Sequence, residues 1–214
     1  MDVNDIVRKV LEKLEETAGQ PEPGGIPTGV SNRHVHLSET DAAALFGAGV
    51  SFKKMKDLSQ PGQYACEECV TLVGPKGVLE KVRILGPVRK ITQIELLQSD
   101  CRKLGIKPML RESGKLEGTP GLTLCGPKGS INAECGAIVA KRHIHMTPAD
   151  AASYGCRDTE IVDVSCGGER GGVLGNVVVR VSPEAKLDFH IDIEEANCMG
   201  MKDGDTITII GKGR

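Results

Sequence analysis

One short motif occurs twice in this chain, first as Arg33-His34-Val35-His36-Leu37-Ser38 and later as Arg142-His143-Ile144-His145-Met146-Thr147. Each copy is followed by Asp-Ala-Ala, at residues 41–43 and 150–152. The alternation of histidine with apolar residues is typical of a short strand, and the Ser or Thr that ends the motif is a good helix N-cap. The sequence therefore predicts a duplicated unit in which a strand leads into a helix capped by Ser38 or Thr147.

The histidines of this motif are the main chemical signal in the sequence. The chain has five histidines, and His190 is the one that belongs to neither copy. A His-x-His strand places both imidazoles on one face, and neutral imidazole is the commonest protein ligand for zinc-class metals. An exposed polar strand face is the simpler explanation for a single pair. The second copy, with histidine nearly absent elsewhere, favours metal ligation, with His190 as a further ligand.

The composition limits the classes of partner. The 214 residues carry a formal net charge of −2 and include no Trp, two Tyr and three Phe. A nearly neutral chain has no strong attraction to nucleic acid or to membranes, and so few aromatic rings argue against a surface that stacks bases. No apolar run approaches the length of a membrane span. We therefore expect no nucleic-acid partner and no membrane partner.

The eight cysteines are expected to be free thiols in a reducing compartment, because the first residues show no signal-peptide pattern. Cys66 and Cys69 form a single Cys-x-x-Cys pair. A zinc knuckle, a redox site and two unreactive packed thiols are the alternatives for this pair.

Residues 1–18 are predicted to form an amphipathic helix, and the Pro/Gly-rich residues 19–27 a linker. The apolar stripe of the helix consists of Val3, Ile6, Val7, Val10, Leu11 and Leu14. Asp2 can cap its start, and Gly19 can end it. Such a tethered helix can pack on the body of its own protein or on a second copy, or it can dock into a groove on another protein.

The remainder of the chain reads mostly as short strands. Two Gly-Pro-Lys-Gly segments, at residues 74–77 and 126–129, each separate two apolar runs and are predicted to be the turns of hairpins. Helices are predicted at Ala42–Phe46, Ile91–Leu104, Pro148–Tyr154 and Ile193–Cys198. Many short strands with few helices favour β-barrels.

A second candidate functional segment begins at Arg89, after Gly86-Pro87. We expect Arg89 to lie at the N-terminus of a helix, where its guanidinium fork and the helix dipole both favour phosphate. Glu95, further along the same segment, can offer a carboxylate to a metal.

Taken together, the two His-x-His motifs, Gly86-Pro87-Val88-Arg89 and Asp188-Phe189-His190-Ile191-Asp192 resemble the phosphate propanoyltransferase family, the phosphotransacylases of the propanediol-utilisation type. The resemblance runs from about residue 29 to residue 211, with no departure at the metal positions. It implies a mainly β fold with two β-barrels capped by short helices and interleaved in sequence. One barrel would comprise residues 28–32 and 141–214, and the other residues 33–140.

The resemblance also implies a binuclear zinc site at the barrel junction. His34, His36 and Glu95 would hold one zinc, with the sulfur of coenzyme A as a further ligand. His143, His145 and His190 would hold the other, completed by water or phosphate. Arg89 would bind phosphate. Coenzyme A would be contacted by Ser31, Lys56, Arg83, Leu85 and Asn197.

The implied reaction interconverts acyl-CoA and phosphate with acyl phosphate and CoA. Members of this family often carry an N-terminal extension that docks on shell protein, which implies the lumen of a bacterial microcompartment for propanediol degradation, or otherwise the cytoplasm. A homodimer or higher homo-oligomer is expected. From the residues alone, a binuclear zinc hydrolase and a non-catalytic zinc-stabilised scaffold are alternatives. The motifs leave open the acyl chain, the direction of the reaction and whether cobalt or iron replaces zinc.

Overall fold

The structure, a computed structural model, describes residues 24–213 together with Asp2, Asp5 and Val7. Apart from these three residues, the predicted amphipathic helix lies outside the described residues. The predicted linker is described from Gly24 onward, and its last two residues already belong to the first strand, which begins at Ile26. Ile26 is fully buried, so the last two residues of the predicted linker are packed as part of the fold.

The described residues form fifteen strands and four short helices. The strands before residue 100 are β1 (Ile26–Ser31), β2 (His34–His36), β3 (Lys54–Asp57), β4 (Tyr64–Val73), β5 (Val78–Gly86) and β6 (Gln93–Glu95). Those that follow are β7 (Leu110–Arg111), β8 (Leu122–Cys125), β9 (Ser130–Ala133), β10 (Ala137–Ala140), β11 (His143–Met146), β12 (Ile161–Cys166), β13 (Gly172–Val181), β14 (Asp188–Asp192) and β15 (Thr206–Lys212). The helices are α1 (Glu39–Phe46), α2 (Gln98–Leu104), α3 (Pro148–Ser153) and α4 (Ile193–Met199). No helix among the described residues is long and apolar enough to cross a bilayer.

Six strands close into a barrel in the order β1-β14-β11-β13-β12-β15. The first strand of the body completes it, because β1 pairs parallel with β14 and antiparallel with β15. The barrel is filled by aliphatic side chains around Phe189, among them Ile144, Val164, Val179 and Ile207. Five of the six strands therefore come from the C-terminal part of the chain, and one comes from its N-terminal part.

The remaining nine strands form a second sheet in the order β7-β10-β6-β2-β5-β4-β8-β9, with β3 paired to β4. This sheet curls into a half-barrel and does not close. Its core contains Val35, Leu72, Ile84, Ile94 and Leu124, all of them almost completely buried. The predicted fold, mainly β with two barrels interleaved in sequence and capped by short helices, is confirmed, with the second barrel present as an open half-barrel.

Both copies of the His-x-His motif fold as the sequence predicts. Each is a strand followed at once by a helix, β2 by α1 and β11 by α3. The Ser38 hydroxyl accepts a hydrogen bond from the Asp41 N–H, and the Thr147 hydroxyl accepts one from the Asp150 N–H, both at 3.1 Å. These bonds satisfy helix N–H groups that have no partner inside the helix. The duplicated unit is therefore confirmed.

Both Gly-Pro-Lys-Gly segments are hairpin turns, as predicted, joining β4 to β5 and β8 to β9. Each turn also receives the end of a helix. The Lys76 N–H donates to the Leu104 carbonyl at the end of α2, and the Lys128 N–H donates to the Leu45 carbonyl in the last turn of α1. A Cβ on Gly74 would lie 2.4 Å from the Leu104 oxygen. Glycine is thus required there for the close approach of the helix.

The predicted helix at Ile91–Leu104 is wrong in its first half. Residues Gln93–Glu95 are strand β6, which pairs antiparallel with β2, and α2 begins only at Gln98. Ile94 is completely buried between apolar neighbours of the half-barrel, so pairing in the sheet overrides the helical pattern. Arg89 is consequently not at a helix N-terminus. It follows β5 and forms a parallel bridge with Ser38.

Candidate metal centre

The first cluster of possible metal ligands joins β2 to β6. Pairing of these antiparallel strands places His34 directly opposite Glu95. The His34 Nε2 atom lies 3.4 Å from one carboxylate oxygen, and the His36 Nε2 atom lies 3.7 Å from the other. All three side chains are largely buried. The two imidazoles and the carboxylate therefore converge on one point.

The charges of this cluster depend on one another. Burial disfavours the charged form of Glu95, yet His34 and His36 hold its pKa well below the usual range, so it is a carboxylate. Burial also opposes protonation of His34, but Glu95 raises its pKa. Burial lowers the pKa of His36 to about 4, which leaves this imidazole neutral at neutral pH. The cluster thus offers a carboxylate and at least one neutral imidazole, which are metal-binding forms.

The second cluster joins β11 to β14 in the barrel. Antiparallel pairing places His143 directly opposite His190, and the Nε2 atoms of His143 and His145 are 3.0 Å apart. The three rings are in mutual contact, with centroids 4.7 to 5.1 Å apart. Burial, together with the charge of His190, lowers the pKa of His143 to about 4. Burial and the other two histidines lower that of His145 to about 3. Both imidazoles are therefore neutral at neutral pH.

Hydrogen bonds orient the rings of both clusters. The Nδ1 atoms of His34 and His143 each bond to the carbonyl two residues earlier, that of Asn32 at 2.7 Å and that of Lys141 at 2.8 Å. A carbonyl oxygen can only accept a hydrogen bond, so Nδ1 carries the proton. Nε2 therefore keeps its lone pair and is free to bind a metal ion. This second-sphere arrangement is the usual one for histidines that bind metal.

His190 is held from three sides. Its Nε2 atom lies 2.7 Å from a carboxylate oxygen of Asp188 and 3.2 Å from the hydroxyl of Ser59, which comes from the half-barrel. Gly29 lies beside it on β1, where a Cβ would come within 2.9 Å of Asp188 and 3.1 Å of the His190 ring. The glycine therefore makes room for the histidine–carboxylate pair.

The two clusters are built in the same way. In each, the third ligand lies on the strand antiparallel to the His-x-His strand, and that strand is followed by a helix. Arg33 donates to Asp100 of α2 at 2.7 Å, and Arg142 pairs with Glu195 of α4 at 2.7 Å. Both carboxylates also accept a hydrogen bond from the backbone N–H that starts their own helix. Arg33 thus links β2 to α2, the helix after Glu95, and Arg142 links β11 to α4, the helix after His190.

The donor sets fit divalent metal ions. Within each cluster the three possible ligand atoms lie within 4.8 Å of one another. Three imidazoles in one cluster, and two imidazoles with one carboxylate in the other, are donor sets typical of zinc-class metals. The Nδ1 atom of His36 is buried without a hydrogen-bond partner. Buried polar atoms are rarely left unsatisfied, so the burial of this ring is not explained by hydrogen bonding within the protein.

Arg89 is connected to the first cluster by a chain of hydrogen bonds. Its Nη1 group donates to the Ser113 hydroxyl at 3.3 Å, and the Gln93 amide donates to the same hydroxyl at 2.8 Å. The Gln93 Nε2 group also donates to Glu95 Oε1 at 2.6 Å, and the Gln93 side-chain oxygen Oε1 accepts from the Gly114 N–H at 2.8 Å. An open cavity of about 310 Å³ lies beside these residues. An anion bound in this cavity would contact Arg89.

Comparison with known proteins identifies the family. The family model for phosphate propanoyltransferase matches residues 27–202. A phosphate propanoyltransferase of Rhodopseudomonas palustris is 48% identical, with 98% of this chain and 97% of that protein aligned. Those of Thermotoga maritima and Priestia megaterium are 48% and 50% identical, covering 98% and 95% of this chain and 99% and 93% of the relatives. The chain belongs to the phosphate propanoyltransferase family. It is an acyltransferase, and the resemblance seen in its motifs is confirmed.

The five predicted coenzyme A contacts of this phosphate propanoyltransferase family member are divided between the two sheets. Ser31, at the end of β1, and Asn197, exposed on α4, belong to the barrel side. Lys56, Arg83 and Leu85 belong to the half-barrel, where pairing aligns Lys56 and Leu85 on either side of Ala65. The Arg83 guanidinium donates to the carbonyls of Cys66 and Glu67 at 2.9 and 2.7 Å, and the Ser31 hydroxyl donates to the Ile191 carbonyl.

Sequence reasoning missed the residues that support the ligands. Asp188 precedes His190 by two residues, so its placement on the same strand face could have been predicted. Gln93 lies between Arg89 and Glu95, but the mistaken helix hid its role. Ser59 and Ser113 reach the site from loops, and no local pattern in the sequence indicates them.

Proposed function

We propose that this acyltransferase interconverts acyl-CoA and phosphate with acyl phosphate and CoA, with propanoyl-CoA or acetyl-CoA as substrate, at a site of two zinc ions. The observation that carries the proposal is the presence of two three-donor clusters, with Arg89 hydrogen-bonded through Ser113 and Gln93 to Glu95 of the first cluster. The relatives named phosphate propanoyltransferase support the reaction class.

The proposed reaction needs no covalent intermediate with the protein. An oxygen of hydrogen phosphate attacks the thioester carbonyl carbon, a C–O bond forms and the C–S bond breaks. The phosphate proton ends on the sulfur, giving acyl phosphate and CoA. None of the cysteines has a role in this scheme. What the protein must supply is position and charge, which can account for most of the rate of such a step.

The residues divide these tasks. Zinc held by His34, His36 and Glu95, and by His143, His145 and His190, would supply positive charge for the thiolate and for phosphate, since thiolate is a good zinc ligand. Arg89 would orient the phosphate through its planar fork of donors. Ser113 and Gln93 would hold that fork in place. The neutral histidines remain ready to bind metal, with no proton to lose first.

Coenzyme A is proposed to lie across the junction of the two sheets. This proposal follows from the division of Ser31, Lys56, Arg83, Leu85 and Asn197 between the barrel and the half-barrel. Lys56 is exposed and cationic, which suits the phosphates of CoA. Arg83 is already fixed by two backbone carbonyls, so its position is set before CoA arrives.

The decisive experiment measures thiol release from acetyl-CoA and from propanoyl-CoA by zinc-replete protein, with and without phosphate. A transacylase releases thiol only when phosphate is present and forms acyl phosphate in equal amount. Release without phosphate would instead identify a binuclear zinc hydrolase. Absence of any release, with the metals retained, would favour a zinc-stabilised scaffold. The ratio of the two substrates' kcat/KM values gives the acyl preference.

We further propose that residues 1–18 direct the enzyme into a bacterial microcompartment, by docking on shell protein. The support is the sequence: a short amphipathic pattern precedes a Pro/Gly-rich segment, and an isolated helix of this length is marginal in water without a partner surface. Packing on the enzyme itself is the competing explanation.

Two complementary protein variants separate these explanations. Residues 1–24 fused to a fluorescent protein should form foci when the organelle is expressed and should stay diffuse without it. The enzyme lacking residues 1–18 should keep its activity in vitro but should no longer be found in the organelle. Diffuse fluorescence both with and without the organelle, or loss of activity in the truncated enzyme, would show that the segment packs on the enzyme itself.

A further inference from the structure

Each copy of the duplicated unit has a parallel neighbour strand, and an arginine lies near the end of each neighbour. In the half-barrel, β2 pairs parallel with β5, and Arg89 follows β5 and bridges to Ser38. In the barrel, β11 pairs parallel with β13, and this pairing places Arg180 opposite His145. Arg89 is already part of the proposed phosphate site, whereas Arg180 has no role in the proposed function.

The register fixes the side of the barrel on which Arg180 lies. Paired residues on neighbouring strands project to the same face of a sheet. Ile144 and Val179 are completely buried and fill the barrel, so the alternate positions face outward. His143, His145 and Arg180 occupy those positions and are half-buried. Arg180 therefore stands beside the second cluster, on the side from which its ligands project.

Arg180 and Arg89 belong to different sheets, and each lies near one of the two clusters, Arg180 opposite His145 and Arg89 linked through Ser113 and Gln93 to Glu95. Burial lowers the pKa of Arg89, Glu95 raises it, and the charge of Arg180 lowers it again. The same charge also lowers the pKa of His143 and His145, after the larger effects of burial and of the other histidines. The charge of Arg180 thus acts both on the second cluster, beside which it stands, and on Arg89 of the other sheet.

No carboxylate among residues 24–213 forms an ion pair with either arginine. Glu95 is engaged by His34, His36 and Gln93. Lys115, and to a smaller degree Lys141 and Arg180, lower the pKa of Glu112, and its carboxylate oxygens lie 2.9 Å from Lys115 and 3.7 Å from Lys141. Bringing two half-buried guanidinium groups together without a carboxylate costs free energy. An anion between them removes that cost.

We propose that Arg180 is a second phosphate-binding residue, and that the phosphoryl group of the substrate lies between Arg89 of the half-barrel and Arg180 of the barrel. This inference rests on the proposed function and specifies its phosphate site. Phosphate carries enough charge and enough acceptor oxygens to engage two guanidinium forks at once. One arginine from each sheet would also make phosphate binding depend on the correct placement of the two sheets.

The test compares Arg180→Gln and Arg180→Lys with the parent enzyme, all zinc-replete and freed of excess metal. Binding of inorganic phosphate is measured by isothermal titration calorimetry, and KM is measured for phosphate and for acyl-CoA. Arg102→Gln, which removes an exposed arginine from α2, controls for the loss of one charge. Circular dichroism and zinc content show that each variant is folded and loaded.

Arg180→Gln should weaken phosphate binding by on the order of 100-fold, and Arg180→Lys by on the order of 10-fold, because lysine keeps the charge and loses the fork. KM for acyl-CoA should change far less. Unchanged phosphate binding in the folded Lys variant, or a rise confined to the KM for acyl-CoA, overturns the assignment. If the parent enzyme releases thiol without phosphate, the proposed function is rejected. The calorimetry would still decide whether Arg180 binds phosphate.

Discussion

Arg89 reaches the site from a loop, so its position depends on the partners of its side chain and not on a helix. Replacing it with lysine keeps the charge and removes the planar fork. We expect Arg89→Lys to raise the apparent KM for phosphate and to lower kcat/KM. The lower kcat/KM should correspond to a loss of about 2–4 kcal/mol in transition-state stabilisation, the range found when one preorganised donor is lost. Steady-state kinetics with varied phosphate checks this. Arg102→Lys is the matched control, and a normal phosphate dependence in Arg89→Lys would refute the role.

Ser113 is the partner that holds Arg89, and it also accepts a hydrogen bond from Gln93. Ser113→Ala should therefore leave zinc content unchanged and raise the phosphate KM by roughly fivefold to tenfold, about the worth of one hydrogen bond. Ser113→Thr retains the hydroxyl and should restore most of the affinity. If the alanine and threonine variants behave alike, Ser113 does not position Arg89.

His143 is one of three donors in the second cluster, so its loss should weaken one metal without unfolding the barrel. We expect His143→Ala to retain about one of two zinc equivalents and to lose most activity. Zinc is measured by elemental analysis after dialysis, and fold by circular dichroism. The converse result, insoluble protein with normal metal content in the soluble remainder, would favour a purely structural zinc site.

At the residue scale, the sequence predicted five of the six possible metal ligands because repetition and scarcity make histidine conspicuous, and the sixth, Glu95, came from the segment after Arg89 and the family resemblance. The structure brings His34, His36 and Glu95 together, and likewise His143, His145 and His190. Their binding of metal stays a prediction, as does the role of Arg89. Ser59, Ser113 and Arg180 could not be found in this way, because loops and distant strands deliver them and common residue types carry no signal on their own.

The element that follows each His-x-His strand is a helix fixed by its cap. In α3 the Thr147 hydroxyl accepts from the Asp150 N–H, and the Asp150 carboxylate accepts from the Thr147 N–H at 2.9 Å. Thr147→Ala should therefore lower the free energy of unfolding by about 1 kcal/mol, whereas Thr147→Ser should be nearly neutral. Denaturant unfolding measures both. Ser153→Ala, at the other end of the same helix, is the control, and an equal loss there would show that the cap is not special.

Elements with a strong local signal were predicted well. Both hairpin turns, both capped helices and the helix at the end of β14 lie where the sequence places them. Strand β6 was mistaken for a helix because its three residues are too few to show alternation. Its conformation is imposed by β2 and β10, between which it lies. Since those partners are distant in sequence, no local pattern can reveal the strand.

At the scale of the whole molecule, the half-barrel is formed by the consecutive strands β2 to β10, whereas the barrel joins β1 to the distant strands β11 to β15. The resemblance to the family predicted this interleaving, which propensity alone could not. The domain boundaries at residues 28–32, 33–140 and 141–214 stay a prediction, and so does a homodimer or higher oligomer. Periodicity describes single elements, whereas barrel closure depends on pairing between the two ends of the chain.

The eight cysteines, all free, offer a test of the whole molecule in one experiment. Burial raises the pKa of the Cys66 and Cys101 thiols to about 11, while Cys135 and Cys198 are exposed. Near neutral pH, iodoacetamide should modify Cys135 and Cys198 quickly and spare the other two, because the thiolate is the reactive form. Peptide mass spectrometry gives the rates.

Coenzyme A adds a second readout to the same labelling. Cys198 adjoins Asn197, a proposed CoA contact, so CoA should slow its modification more than that of Cys135. Equal rates with and without CoA would remove Asn197 from the proposed binding surface. Rapid modification of Cys66 in the native protein would show that the half-barrel core opens readily, contrary to the packing around it.

Strand β1 lies between β14 and β15, which sets an order of events as the chain leaves the ribosome. His34, His36 and Glu95 emerge early, together with the strands that hold them. We therefore expect the half-barrel and its ligands to assemble while the C-terminal strands are still being translated. The closed barrel cannot form until β15 has been released. β1 has no partner at either edge until β14 emerges, and none at its second edge until β15 follows. The nascent chain thus passes through a period in which one ligand set is complete and the strand that begins the body of the protein remains open to chaperones.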